Sequence, residues 1–182
     1  MGSAKSPRDQ PGRKAAKSVP GRPCSIALAL QVIGERWALL AVREINFGNH
    51  RFDQIARNTG APRDILTARL RALEHAGVIH RRQYQQHPPR FEYYLTQAGM
   101  ELRPVLNGLR RWGDRWLAEE PPVLVEHVCG HPLDVVVQCA RCGEQLDPAG
   151  DASEWSEQFV APGWDRAGPN LTGGEPRRRQ RR

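Results

Sequence analysis

No apolar run in these 182 residues approaches the roughly 20 that a membrane-spanning helix needs. The basic N-terminus lacks the apolar stretch of a secretory signal. A cytoplasmic location is expected, and there thiols stay reduced. The four cysteines are then expected as metal ligands, sensors or buried thiols rather than as disulfides. Lysine is absent after Lys17. Later positive charge is therefore arginine, which suits bidentate contacts to phosphate and guanine. A P-loop, a Gly-rich dinucleotide turn, a Ser/His/Asp arrangement and an internal repeat are also missing. These absences argue against an enzyme and against a repeat architecture.

What is present is charge, unevenly placed. The net charge is +7. Residues 1–23 carry +5, residues 24–118 carry +6 and residues 119–176 carry −9, and five arginines fall in the last six positions. A basic surplus favours polyanion partners through counterion release. Residues 1–22, rich in Lys, Arg, Ser, Gly and Pro, read as a disordered basic arm. From about residue 149 onward Gly, Pro and acidic residues dominate, and a flexible tail with an Arg-rich end is expected.

Between the tails the periodicity is helical. Ser25 to Ile33 carries Ile26, Ala27, Leu30 and Ile33 and stops at Gly34. Arg36 to Phe47 carries Trp37, Leu40, Ala41 and Ile45 on one stripe. Arg51-Phe52 reads as a brief extended segment. Asp53 to Asn58 is a short helix closed by Thr59-Gly60. Pro62 sits at the expected first position of the next helix, which carries Leu66, Leu70 and Leu73 and ends at Gly77 as C-cap. Val78–Tyr84 and Phe91–Leu95 read as two strands around Pro88-Pro89. Thr96 is the expected N-cap of a long last helix, kinked or restarted at Pro104 and ended by Glu119-Glu120-Pro121-Pro122. The order helix, tight turn, helix, basic hairpin is the outline of a winged helix-turn-helix, in an α+β and mainly α chain.

The second helix of such a unit enters the major groove by its N-terminal half. Leu66, Leu70 and Leu73 define its buried side, so a 100° step per residue turns Asp64, Ala68 and Arg71 outward with Arg63 and Thr67 on a flank. Arg63, Asp64, Thr67, Ala68 and Arg71 are the expected base-edge or phosphate contacts, with Asp64 accepting from a cytosine amine or pairing with an arginine. A wing lies along the backbone or minor groove, where arginine is favoured. Arg81 and Arg90 are its expected contacts, Arg90 foremost.

Cys24 before an apolar helix, then Ile33-Gly34-Glu35-Arg36-Trp37, Arg51-Phe52, Leu66-x3-Leu70-x2-Leu73-Glu74-x2-Gly77, Tyr93-Tyr94-Leu95-Thr96-x2-Gly99 and Arg111-Trp112-Gly113 follow in order. This arrangement resembles the HxlR-type transcriptional regulators over residues 24–118. Pro62 stands where that family often has a Ser-type helix cap, and residues 119–182 lie beyond its minimal domain. The resemblance implies a homodimer on a near-palindromic operator, with the first and last helices building the interface. Ile26, Leu30, Leu102, Leu106, Leu109, Trp112 and Trp116 are the residues that would form it. Some members sense electrophiles or oxidants with a cysteine in the place of Cys24. A helix N-terminus and Arg22 beside that thiol both favour thiolate.

Residues 119–148 form an expected small Cys/His module resembling a zinc ribbon, with Val135-Val136-Val137 as a strand. Cys139-x2-Cys142-Gly143 has knuckle spacing, since the turn aims two thiolates at one ion and Gly permits the tight backbone. Cys129 is the expected third zinc ligand and His131 the fourth, with His127 as alternative. Free thiols, or a redox dithiol at Cys139 and Cys142, are the competing readings. No other cofactor is expected. The sequence thus points to a DNA-binding regulator. Two further classes stay open: a redox-, electrophile- or metal-responsive sensor whose output is DNA binding, or an interaction protein recruiting RNA or protein through the C-terminal module.

Overall fold

A computed structural model describes residues 24–146. The basic arm and the acidic, Arg-ended tail lie outside the described residues. The described chain divides into two compact units, residues 25–135 and a second comprising Cys24 with residues 136–146.

The first unit runs α1 (Ser25–Ile33), α2 (Arg36–Asn46), α3 (Phe52–Thr59), α4 (Arg63–His75), β1 (Ile79–Gln85), β2 (Arg90–Leu95), α5 (Gln97–Met100) and α6 (Arg103–Trp116). The central helix α2 buries Ala38, Ala41, Val42 and Ile45, a spacing that puts all four on one stripe. Against it pack Ile55 of α3 and Leu66, Leu70 and Leu73 of α4, each at most 1% exposed. Ile33, Ala61, Val78 and Ile79 complete the core. Burial of each such aliphatic side chain contributes about 1.5–3 kcal/mol, so α4 is fixed by three leucines while its other side stays in solvent.

The turn between α3 and α4 is set by hydrogen bonding. The Thr59 hydroxyl donates to the Ile55 carbonyl at 2.7 Å and accepts from the Ala61 amide at 3.2 Å. Gly60 lies between them in the left-handed region, φ +69°, which side chains with a Cβ resist. Pro62 is the N-cap of α4, not its first helical residue. At the other end Ala76 is the C-cap and Gly77 follows it at φ +75°. The Val78 amide reaches the Leu73 carbonyl and the Gly77 amide that of Glu74, the Schellman pattern that turns the chain straight into the wing.

The wing is antiparallel, with Ile79 opposite Leu95 and Arg82 opposite Glu92. Both strands run one residue nearer the tip than the sequence reading placed them. Arg51 pairs with Glu92 as an isolated bridge, whereas Phe52 already belongs to α3. The expected long last helix is two helices. Thr96 caps α5 by accepting from the Gly99 amide at 3.3 Å, and α6 begins at Arg103 with Pro104 in its first turn, the expected restart in place of a kink. Gly99 is obligatory there, because a Cβ would meet the Val78 carbonyl oxygen at 2.2 Å. The last helix stops at Trp116, before the Glu-Pro segment. Val135–Val137 forms no strand. Among the described residues beyond α6, bridges join Glu126 to Pro132 and Gln138 to Gln145, so short turns stand in place of the expected Val-rich strand.

Candidate nucleic-acid interface

The leucine side of α4 leaves Arg63, Asp64, Ala68 and Arg71 exposed and Thr67 half-buried, as the periodicity requires. These residues are not equivalent. Arg63 donates to Asp53 of α3 at 2.8 Å and lies over the Phe52 ring at 4.8 Å. Its guanidinium is thereby held at the start of the helix, where with Phe52, Asp64 and Thr67 it lines a shallow depression. The Thr67 hydroxyl donates to the Arg63 carbonyl at 2.7 Å, which leaves its oxygen lone pairs as acceptors. Asp64, in the first turn, suits the positive end of the helix dipole. Arg71 makes no ion pair among the described residues.

The wing sorts its arginines in the same way. Arg81 pairs with Glu74 of α4 at 3.2 Å and lies over the Phe91 ring, tying the wing to the second helix. Glu92 receives Arg51 and Arg82 at 3.3 Å each and the Tyr94 hydroxyl at 2.8 Å. The Tyr94 hydrogen bond, followed by the two arginines, holds the Glu92 carboxyl below the usual carboxylate range. Tyr94 is raised by the same bond. Tyr93 is raised chiefly by burial, against the fields of Arg81 and Arg71. Arg90 is exposed at the start of β2 and makes no ion pair among the described residues. Of the seven residues expected at DNA, Arg71 and Arg90 thus carry uncommitted charge, while Arg63 and Arg81 also brace the scaffold.

One organising residue escaped the sequence reading. Glu44 of α2 is only 4% exposed. Its Oε1 accepts from Arg43 at 2.7 Å and its Oε2 from Asn49 at 2.8 Å and Asn58 at 2.9 Å. It therefore fastens α2 to α3 and to the loop between them. The signal was available: an acid inside the stripe that otherwise carries Trp37, Leu40, Ala41 and Ile45.

The expected dimer residues divide as well. Leu102 and Leu106 are half-buried against the unit's own core. Ile26 and Leu30 of α1 and Leu109, Trp112 and Trp116 of α6 are 50–70% exposed. The segment after α6 is pinned to that helix by Arg110, which donates to the Leu133 carbonyl at 3.1 Å, and by Arg111, which donates to the Val135 carbonyl.

Each cysteine turn is locally ordered. In the first unit the His127 amide donates to the His131 carbonyl, Gly130 stands at φ +80°, and His127 Nδ1 lies 3.1 Å from Cys129 Sγ. His131 instead turns Nδ1 toward the Cys129 carbonyl, 3.2 Å away. In the second unit the Cys139 amide donates to the Glu144 carbonyl, and Gly143 stands at φ +75°. Backbone N–H groups of Cys142 and Arg141, aimed at the Cys139 sulfur, lower its thiol pKa. Among the described residues no three His, Cys, Asp or Glu side chains gather at one point in the arrangement a metal needs. Cys24 is a half-buried free thiol immediately before α1. No single described helix is long and apolar enough to cross a membrane.

The family model described as HxlR-like helix-turn-helix matches residues 32–121. The HTH-type transcriptional regulator Rv3095 of Mycobacterium tuberculosis is 45% identical over 125 residues, 67% of this chain and 79% of that protein. The regulator sll1512 of Synechocystis is 38% identical over 101 residues, covering 55% of this chain and 75% of its own length. Among solved structures, the transcription-factor candidate PA1607 superposes with a TM-score of 0.63 at 32% identity, over 76% of this chain and 94% of that one. With the helix-turn-helix and wing already traced residue by residue, these likenesses agree on one assignment: the chain belongs to the HxlR-like helix-turn-helix family of transcriptional regulators.

Proposed function

We propose that this regulator acts as a homodimer on a near-palindromic operator. The observation that carries the reading is the division of arginines. Arg71 on α4 and Arg90 on the wing keep free charge, while Arg63 and Arg81 are braced by Asp53 and Glu74. Arg63, Asp64, Thr67, Ala68 and Arg71 would read or position in the major groove, with Arg81 and Arg90 on the adjacent backbone. The exposed apolar face of α1 and α6 supplies the two-fold contact, with Ile26, Leu30, Leu109, Trp112 and Trp116 at its centre and Leu102 and Leu106 supporting it from the core side. Such an arrangement sets the two reading helices about one DNA turn, or a multiple, apart. The organisation is an arm over 1–23, the DNA-binding and dimerisation domain over 24–118, the Cys/His module over 119–148 and a tail over 149–182.

Gel shifts of the full chain on a pool of genomic fragments test this. Selective retention of a few fragments is expected. Retention of all fragments alike, or of RNA or proteins in their place, would favour the interaction-protein reading.

A second reading, DNA binding gated by thiol or metal chemistry, is favoured by the build of the two cysteine turns, where His127 Nδ1 meets the Cys129 sulfur and backbone N–H groups of Cys142 and Arg141 point at the Cys139 sulfur. In it Cys24 is the electrophile- or oxidant-sensing thiol. Cys129, His131, Cys139 and Cys142 are structural zinc ligands, a set proposed from sequence spacing and the local build of each turn. His127, whose ring already meets the Cys129 sulfur, is the alternative histidine.

A further inference from the structure

Within the first unit, α2 and α6 and the segment over residues 122–133 enclose a groove of about 920 Å³. That is the upper part of the range of small-molecule sites, which are mainly apolar with a few placed polar groups. Leu39, Leu40, Phe47, Leu106, Leu109 and Val125 are among its apolar lining. Five charged groups also line it: Arg43, Glu44, Arg103, Arg110 and Asp114. Arg43 is neutralised by Glu44 at 2.7 Å and Arg110 by Asp114 at 2.9 Å. Arg103 has only a neutral partner, the Asn46 side-chain oxygen at 2.6 Å, and makes no ion pair among the described residues. The groove thus combines an apolar body with one uncompensated positive charge.

We infer that this groove is an effector site for a small apolar monocarboxylate, with the carboxylate at Arg103 and the hydrocarbon along Leu39, Leu40 and Leu106. Charge complementarity selects the acid over a neutral apolar molecule, because no lining carboxylate lacks a cation. The inference rests on the proposed regulator function for its consequence. One wall, α2, is fastened to the helix-turn-helix by Glu44 through Asn58. The other, α6, is the proposed dimer helix. A molecule wedged between them sets the distance between reading helix and two-fold axis, and so the fit to half-site spacing.

The probes are 2-naphthoate and decanoate, each compared with its corresponding alcohol, against the full chain in solution. The acids should bind about fivefold more tightly than the alcohols, the scale of one partly exposed ion pair. Arg103→Gln should abolish that preference while leaving alcohol binding unchanged. Arg115→Ala, on the same helix but not in the groove lining, should leave both unchanged. Saturating 2-naphthoate should then shift operator affinity by at least threefold in wild type and not in Arg103→Gln. Equal affinity for acid and alcohol, or an unaltered preference in Arg103→Gln, would overturn the inference. So would binding that appears only once Trp112→Glu has made the protein monomeric, since the groove would then belong to a second copy. Acid-selective binding without any DNA effect would retain the site and reject its regulatory role. Loss of sequence-selective DNA binding in the absence of probe would instead remove the regulator reading itself.

Discussion

Replacing Glu44 with Ala should loosen the attachment of the helix-turn-helix to its scaffold. The carboxylate accepts four hydrogen bonds, two from Arg43, one from Asn49 and one from Asn58. Hydrogen bonds to a charged group contribute about 1.5–3 kcal/mol each when the partners stay buried. Here they do not all stay buried. Arg43 is 37% exposed in its side chain and Asn58 is exposed, so their donors regain water once Glu44 is gone, and the ion-pair share must be discounted for screening. What remains is the lost anchoring of α3 plus a small cavity, together about 2–3 kcal/mol. For a domain near 100 residues that corresponds to a Tm lower by roughly 10–20 °C. Glu44→Gln keeps one carbonyl acceptor and should cost about half as much. Urea unfolding followed by tryptophan fluorescence, with Trp37 on α2 as reporter, measures both. A Glu44→Ala protein within about 0.5 kcal/mol of wild type, the ordinary effect of a surface change, would refute the idea that this residue joins α2 to α3. A double-mutant cycle with Asn58→Ala should return a coupling of about 0.5–1.5 kcal/mol, and zero coupling would point the same way.

Arg71→Ala should cost about 1–3 kcal/mol on the preferred fragment and relax selectivity at one base pair, read by gel shift on single-base variants. Arg90→Ala should weaken binding to every duplex alike and reduce the salt slope by about 1, read from titrations over a salt series. Trp112→Glu and Leu109→Glu should yield folded monomers in sedimentation, whereas Leu106→Glu, on a side chain packed against the core, should unfold the unit. Protein purified without chelator should carry about one zinc per chain, with less than a tenth of an equivalent rejecting the metal proposal, and brief alkylation should label Cys24 first if it is the sensing thiol, by mass spectrometry.

Much of the reading unit was legible because one side of each helix has to be buried. The positions of Ala41, Ile45, Leu66, Leu70 and Leu73 forced the orientation of α2 and α4, and that orientation exposed Arg63, Asp64, Ala68 and Arg71. Gly60 and Gly77 marked turns that only a positive φ can make. Partnerships were less legible. Which arginines are spoken for depends on residues far away in sequence: Arg51 and Arg82 meet Glu92, and Arg81 meets Glu74. The role of Glu44 depends on Asn58 being brought to it by the packing of α3. The break in the last helix was marked by Pro104, but the close seat of α5 depends on Gly99 fitting beneath the Val78 carbonyl, a contact no periodicity reveals. Val135–Val137 has strand propensity and no strand, because β-propensity reflects packing against neighbours more than an intrinsic backbone preference.

The most direct test of the account is a hydroxyl-radical footprint of the full chain on a fragment selected from genomic DNA. Two protected segments related by a dyad, centred about one helical turn or a multiple apart, are expected, and Arg71→Ala should lose both together. A single protected segment, or two without dyad symmetry, would contradict a homodimer reading a near-palindrome through α4.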